Sequence, residues 1–444
     1  MSSFGVACHA QLPCLCQALS TVPGVKLPRP GDIGKALQAL WFIRLPRCKL
    51  QIQELETFVV ANPPPHNGGR YFIFVKLTTD DGVTGIGEVY TATFAPHVVE
   101  AMINDVFEHH VAGADPFHIE RLWRRVYGRG YTLRPDLSLM SVLSGLETAC
   151  WDIVGKAVDK PAYELLGGRV HERLRSYTYI YPRPGEDDSV YSDPDLAAER
   201  ALEYIAMGFT ALKFDPAGGY SVFDGRQPSL DALDRCERFV KTLRKAVGSR
   251  ADLLFGTHGQ FTAAGAIRLA RRLESSDPLW FEEPTPPENP KEMARVARQT
   301  SIPIATGERL TTKYEFARVL EEQSASILQM ALGRVGGLLE AKKIASMAET
   351  FYAQIAPHLY CGPVEGAANV QLATCTPNFL ILESIEDWGG FHASILKSPV
   401  RWEDGYVIPP VAPGIGVELD ESVARANPYT GTRLHLEMQA DPII

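Results

Sequence analysis

The chain has 444 residues, 45% of them hydrophobic and 22% charged, with a formal net charge of -9 at pH 7. That length is too great for one ordinary core and fits a barrel with a smaller companion domain. The acidic balance excludes a nucleic-acid or anionic-membrane surface, which needs clustered Lys and Arg. No apolar run reads as the roughly 20-residue span of a membrane helix.

Residues 1–49 lack a clear period and mix Cys, Pro and Gly, with no basic stretch leading into an apolar core. They read as a poorly ordered extension rather than a signal peptide. Cys14-Leu-Cys16 lacks zinc-finger spacing, and no second Cys or His pair follows nearby. Cys150, Cys236, Cys361 and Cys375 are scattered through apolar surroundings. This is the pattern of a reduced, cytoplasmic protein.

Residues 50–170 predict an α+β domain. Ile52–Val60, Tyr71–Thr79 and Val83–Glu88 read as strands, and helices are expected near Pro96–Val111, Pro116–Tyr127 and Ser138–Val158. The Pro/Gly-rich segment 62–69 is too long for a tight hairpin. Over 171–395 the pattern alternates. Strands end near Tyr179, Asp215, Gly256, Glu282, Glu308, Met330, Ala356 and Glu383, with amphipathic stretches between them. Eight such units predict a (β/α)8 barrel. The competing open sheet would carry a Gly-rich phosphate turn after its first strand, and none is present. Residues 396–444, extended by their prolines, are expected to pack back on the first domain.

Ionisable residues recur at the ends of these strands, the rim where barrels keep their chemistry. Lys213 and Asp215 share a face of the second strand, and Gly256 and His258 a face of the third. Glu282 and Glu308 end the fourth and fifth, His358 follows the seventh, and Glu383 ends the eighth. Carboxylates on neighbouring strands repel unless a cation lies between them. Asp215, Glu282 and Glu308 offer hard oxygen ligands of the kind Mg2+ prefers. His258 and His358 can move protons near neutral pH, and Lys213 and Arg309 can hold an anionic substrate. Glu283 falls outside the alternation and reads as a structural acid. The set suits abstraction of a proton next to a carboxylate, with a metal stabilising the enediolate, followed by loss of a hydroxyl as water.

The segments Ser144–Lys156, Pro161–Gly168, Trp280-Phe-Glu-Glu-Pro284, Ala305-Thr-Gly-Glu-Arg-Leu310, Gly336-Gly337 and Ala356-Pro-His358 resemble the mandelate racemase subgroup of the enolase superfamily. The likeness spans about Ile52 to Leu419. It implies an α+β capping domain whose loops close over a modified (β/α)8 TIM barrel bearing one Mg2+ per subunit, and a chain that assembles as a homo-oligomer. It places metal ligands on Glu282 and Glu308, the seventh-strand histidine on His358, and the proton donor of galactonate dehydratase-like members on His258. Glu383 matches the eighth-strand acid, and Lys213 is the first lysine of the racemase Lys-x-Lys motif.

Two positions depart from the family pattern. Gly256 stands where the third-strand metal ligand is an Asp, and Ala331 where an Asp orients the seventh-strand histidine. Asp215 occupies the place of the second lysine, beside Gly256, so a relocated ligand set of Asp215, Glu282 and Glu308 is expected. The base is then His358 or Lys213 with His258 as acid, and the two histidines are open to exchange. The expected activity is dehydration of a sugar acid, an aldonate or aldarate, to a 2-keto-3-deoxy acid. Cycloisomerisation of a sugar-acid lactone or anhydro acid is the alternative within the fold, and a non-catalytic sugar-acid binding protein is the alternative outside it. Specificity is expected in the 62–69 loop, near Tyr177–Tyr181 and in the Arg124–Arg134 region.

Overall fold

The computed structural model describes residues 50–131, 134–218 and 221–438, so the extension expected at residues 1–49 lies outside the described residues. Gln51 onward forms one compact unit. It opens with an antiparallel sheet of β1 (Ile52–Ala61), β2 (Tyr71–Thr79) and β3 (Thr84–Glu88) in sequence order. The helix Leu137–Val158 packs on this sheet, held at its start by the Asp136 carboxylate, which accepts the amides of Ser138 and Leu139. The glycines of β3 make the contact possible: a Cβ on Gly87 would lie 1.9 Å from the Gly145 carbonyl, and one on Gly85 2.1 Å from that of Ala149.

That helix corrects one expectation. By length and composition it is apolar enough to cross a membrane, but 78% of its apolar window is buried inside the fold. Its Glu147 and Asp152 are buried and hydrogen-bonded to neighbouring segments, so it is a core helix. The first helix also ends early, at Val106, and continues as a π-helical turn over Phe107–Val111.

The second half alternates strands and helices. The parallel strands are β4 (Leu174–Tyr179), β5 (Ala211–Phe214), β6 (Asp252–Gly256), β7 (Trp280–Glu282), β8 (Ile304–Thr306), β9 (Ile327–Leu328), β10 (Gln354–Ile355) and β11 (Leu382–Ser384). Neighbours pair in order from β4 to β10, and β11 pairs with β4. A single parallel bridge, Ile355 to Phe379, spans from β10 to the segment entering β11. This is the modified (β/α)8 barrel. The strands are short because their inward residues fill the interior: Tyr177, Leu254, Trp280, Ala305, Ile327, Ala356 and Ile381 form one buried cluster. Helix caps fit local chemistry. Asp193 caps the helix Pro194–Met207, and Gly208 ends it at φ 117°. Past the barrel, Ile415, Val417, Leu419 and Ala424 pack with Phe58, Phe72 and Phe74 of the first sheet, and Pro428 bridges to Val60.

Candidate active site

The ends of the barrel strands and the first sheet enclose a cavity of about 490 Å3 lined by, among others, Lys213, His258, Glu308, Arg334, His358 and Glu383. Of these six, Lys213 is the least exposed, at 2%. Its Nζ donates to Glu282 Oε1 at 2.7 Å and to Glu383 Oε1 at 3.5 Å. The far oxygens are held by the scaffold. Glu282 Oε2 accepts from Gln329 at 2.7 Å and from the Trp280 indole at 3.1 Å, and Glu383 Oε2 accepts the Leu359 amide at 2.8 Å. Burial pushes Glu383 up to about 7, against the pull of Lys213. Burial opposes the charge on Lys213 too, but Glu282 and Glu383 override it and keep the ammonium protonated.

Glu308 stands two residues beyond β8, turned inward by Gly307 at φ 142°. Its Oε2 lies 3.3 Å from His358 Nε2 and its Oε1 3.9 Å from His258 Nε2. Burial pushes both imidazoles down to about 3 despite the pull of Glu308, so both rings are neutral at neutral pH. Burial also disfavours the Glu308 carboxylate, but the surrounding positive groups hold it well below its usual range. His258 and His358 lead the groups that do so, ahead of Lys213 and Arg309.

His258 reaches the site differently from the expected strand alternation. β6 ends at Gly256, and His258 takes a left-handed conformation, φ 48°, that swings its ring toward Glu308. Asp215 follows β5 and is 6% exposed. Its Oδ2 lies 3.5 Å from His258 Nδ1, while its buried Oδ1 has no hydrogen-bond partner. A Cβ placed on Gly256 would sit 2.6 Å from that same Oδ1. The Asp215 carboxylate therefore fills the space that a side chain at 256 would enter.

The atoms that geometry gathers most tightly are one from each of His258, Glu282 and Glu308, all within 4.8 Å of one another. Asp215, the expected third ligand, is not in this trio: its Oδ2 meets His258 Nδ1 at 3.5 Å, and its buried Oδ1 has no hydrogen-bond partner among the described residues. A buried carboxylate with an unused oxygen, as at Asp215, fits a hard divalent cation, whereas both oxygens of Glu282 already accept hydrogen bonds.

Arg309 is not a free anchor. Its Nε and Nη2 engage Glu283 Oε2 at 2.8 and 2.6 Å, and Glu283 is fully buried. Ala331 bridges to His358 through the backbone, and no side chain takes the place of the missing orienting acid, because His358 Nδ1 has no partner. The ring is instead stacked parallel to Tyr90, with centroids 6.0 Å apart. Arg124, Arg125 and Arg129 line a separate surface pocket, and no described residue of the Arg124–Arg134 region lines the cavity. Thr132 and Leu133 lie outside the described residues. Tyr179 and Tyr181 line the cavity, whereas Tyr177 is buried inside the barrel. The 62–69 loop faces an adjoining cavity that includes Asp215.

Tyr90, Gln329, Arg334, Leu436 and Met438 carry no mark in the expected motifs. Gln329 alone had a signal, as an amide following an otherwise apolar strand.

Two family descriptions match: the mandelate racemase/muconate lactonizing enzyme N-terminal domain over residues 60–167, and the enolase C-terminal domain-like family over 196–423. A D-galactonate dehydratase of Ralstonia nicotianae is 36% identical over 79% of this chain and 90% of its own. A D-xylonate dehydratase of Haloferax volcanii is 32% identical over 86% and 90%. Among solved structures, a Labrenzia alexandrii DFL-11 protein provisionally assigned to the mandelate racemase/muconate lactonizing enzymes shares 66% identity, with TM-score 0.85 over 88% of this chain and all (100%) of that one. A mandelate racemase/muconate lactonizing enzyme of Sulfitobacter sp. shares 55% identity, with TM-score 0.86 over 88% and 99%. With matched domains at both ends of one barrel site, the chain belongs to the mandelate racemase/muconate lactonizing enzyme family of the enolase superfamily.

Proposed function

We propose that this enzyme is a Mg2+-dependent hydro-lyase that converts a sugar acid to a 2-keto-3-deoxy acid. The observation that carries the reading is the pairing of a carboxylate cluster with two imidazoles, both within 4 Å of Glu308, in one cavity. Relatives named for galactonate, xylonate and gluconate dehydration support the substrate class.

Glu282, Glu308 and Asp215 would hold the ion. Oxygen donors suit Mg2+ better than an imidazole, and Asp215 has an oxygen to give. Bound there, Mg2+ would supply Lewis-acid stabilisation of the charge that develops on the substrate carboxylate. Lys213 lies beside the same place and balances that carboxylate. It is a poor base, because Glu282 and Glu383 keep it protonated. His358 is the better base: its ring is neutral, and the Tyr90 stack fixes its plane. His258, on the opposite side of Glu308, would give a proton to the leaving hydroxyl after taking one up from solvent on substrate binding. An anionic substrate beside it raises its hold on that proton. We place the protein in the cytoplasm as a homo-oligomer, with its described cysteines free and buried.

The test is direct. The purified protein with Mg2+ is incubated with a panel of aldonates and aldarates, and products are followed by mass and by keto-acid derivatisation. Loss of one water with appearance of a 2-keto acid is expected for at least one substrate. An isomer of unchanged mass, or no product from any of them, would contradict the reading.

A further inference from the structure

Arg334 is 6% exposed and lines the catalytic cavity, yet it has no ion-pair partner among the described residues. Its Nη1 donates to the backbone carbonyl of Glu308 at 3.1 Å, its guanidinium lies 3.6 Å from the centroid of the Tyr90 ring, and its buried Nε has no hydrogen-bond partner. The nearby buried acid Glu365 makes no direct ion pair with it: Glu365 Oε2 takes the Cys361 thiol at 2.8 Å, and Arg334 acts on Glu365 only through space. A buried guanidinium without a counter-anion is costly, and one carrying a free donor beside a cavity is a preformed carboxylate site.

Its position says which carboxylate. Lys213 lies on β5, the second barrel strand, and Arg334 follows β9, the sixth, so the two cations stand across the eight-strand ring from each other. Lys213, beside the carboxylate cluster, serves the end of the substrate whose α-proton is removed. Arg309 adds nothing to the far side, because Glu283 neutralises it.

We propose that Arg334 binds a second, distal carboxylate, and that the preferred substrate is a dicarboxylic sugar acid rather than a monocarboxylic one. This deepens the dehydratase reading and rests on it for the identity of the first carboxylate. Tyr90 holds the guanidinium plane, so the Nε edge is oriented before a ligand arrives.

Matched acids that differ only at the terminal carbon provide the test. Binding of galactarate against galactonate, and of glucarate against gluconate, is measured by calorimetry with Mg2+ present, for the wild type, Arg334→Gln and Arg334→Lys. A charge-assisted pair predicts that the wild type binds one diacid about 10- to 100-fold tighter than its monoacid. In Arg334→Gln that ratio should fall to near one, and Arg334→Lys should keep part of it. The ratio is independent of how much variant is folded, so a purely structural role for Arg334 would weaken both acids alike and leave the ratio intact. That outcome, or a wild type with no preference for the diacid, overturns the inference while leaving dehydration of monoacids standing. If no acid of either kind binds, the dehydratase reading falls with it.

Discussion

The protein buries two groups of carboxylates, and they are used in opposite ways. At the seam between the first sheet and the barrel, Glu88, Glu147 and Asp152 are bonded by backbone donors. Glu88 accepts the amides of Gly362 at 2.6 Å and Glu365 at 2.9 Å. Glu147 accepts those of Leu338 and Leu339 and the Trp151 indole, at 2.8 to 3.0 Å. Asp152 accepts those of Ile86 and Ile415, both at 3.0 Å, with Lys156 alongside at 2.7 Å. At the barrel mouth the acids meet a lysine, two imidazoles and side-chain donors, with one backbone amide on Glu383, and Asp215 Oδ1 has no hydrogen-bond partner among the described residues. Burial alone does not mark a functional acid. What its oxygens are bonded to does.

Substitutions separate the two groups, beginning with the largest effect. Glu308→Gln should lower kcat/KM by at least about 10^3-fold, since it removes a proposed ligand and the charge between the two imidazoles. Its thermal midpoint should fall only modestly, because the neighbouring groups that hold the carboxylate below its usual range lose their partner. A large loss of stability with activity retained would erase the distinction. Glu147→Ala should do the reverse. It orphans two amides and an indole, and should cost about 3 kcal/mol in urea unfolding, while activity per folded molecule stays within a few-fold.

pH sharpens the same contrast. Burial, with Glu365 nearby, pushes Glu88 up to about 8. The folded state therefore holds more protons than the unfolded chain between the ordinary carboxyl range and about 8, so stability should fall as pH rises through that window. Urea midpoints at several pH values test this, and Glu88→Gln should flatten the slope. The smallest expected effect is that of Gly256→Ala. Its Cβ must displace Asp215 Oδ1, now 2.6 Å from that position, and should weaken metal binding about tenfold with little change in stability.

Much of this was legible in the sequence, for identifiable reasons. Glu282 and Glu308 announce themselves because a carboxylate ending an apolar run is a local pattern. The closeness of positions 215 and 256 was also readable, since adjacent parallel strands put them side by side, and a Cβ at Gly256 would meet Asp215 Oδ1 at 2.6 Å. His258 was found by alternation but arrives by a left-handed turn, which two-residue periodicity does not encode. Arg309 looked like a substrate anchor because its partner, Glu283, comes from another strand. Tyr90, Arg334 and the tail residues Leu436 and Met438 line the cavity through contacts between segments far apart in the chain. No local pattern specifies those contacts.

The central claim is that Asp215 supplies the ligand missing at 256. Calorimetric titration of Mg2+ into the metal-stripped wild type and into Asp215→Asn tests it most directly. The account predicts one ion per chain in the wild type and binding weakened at least about 100-fold in the variant. Equal stoichiometry and affinity in the two proteins would contradict it.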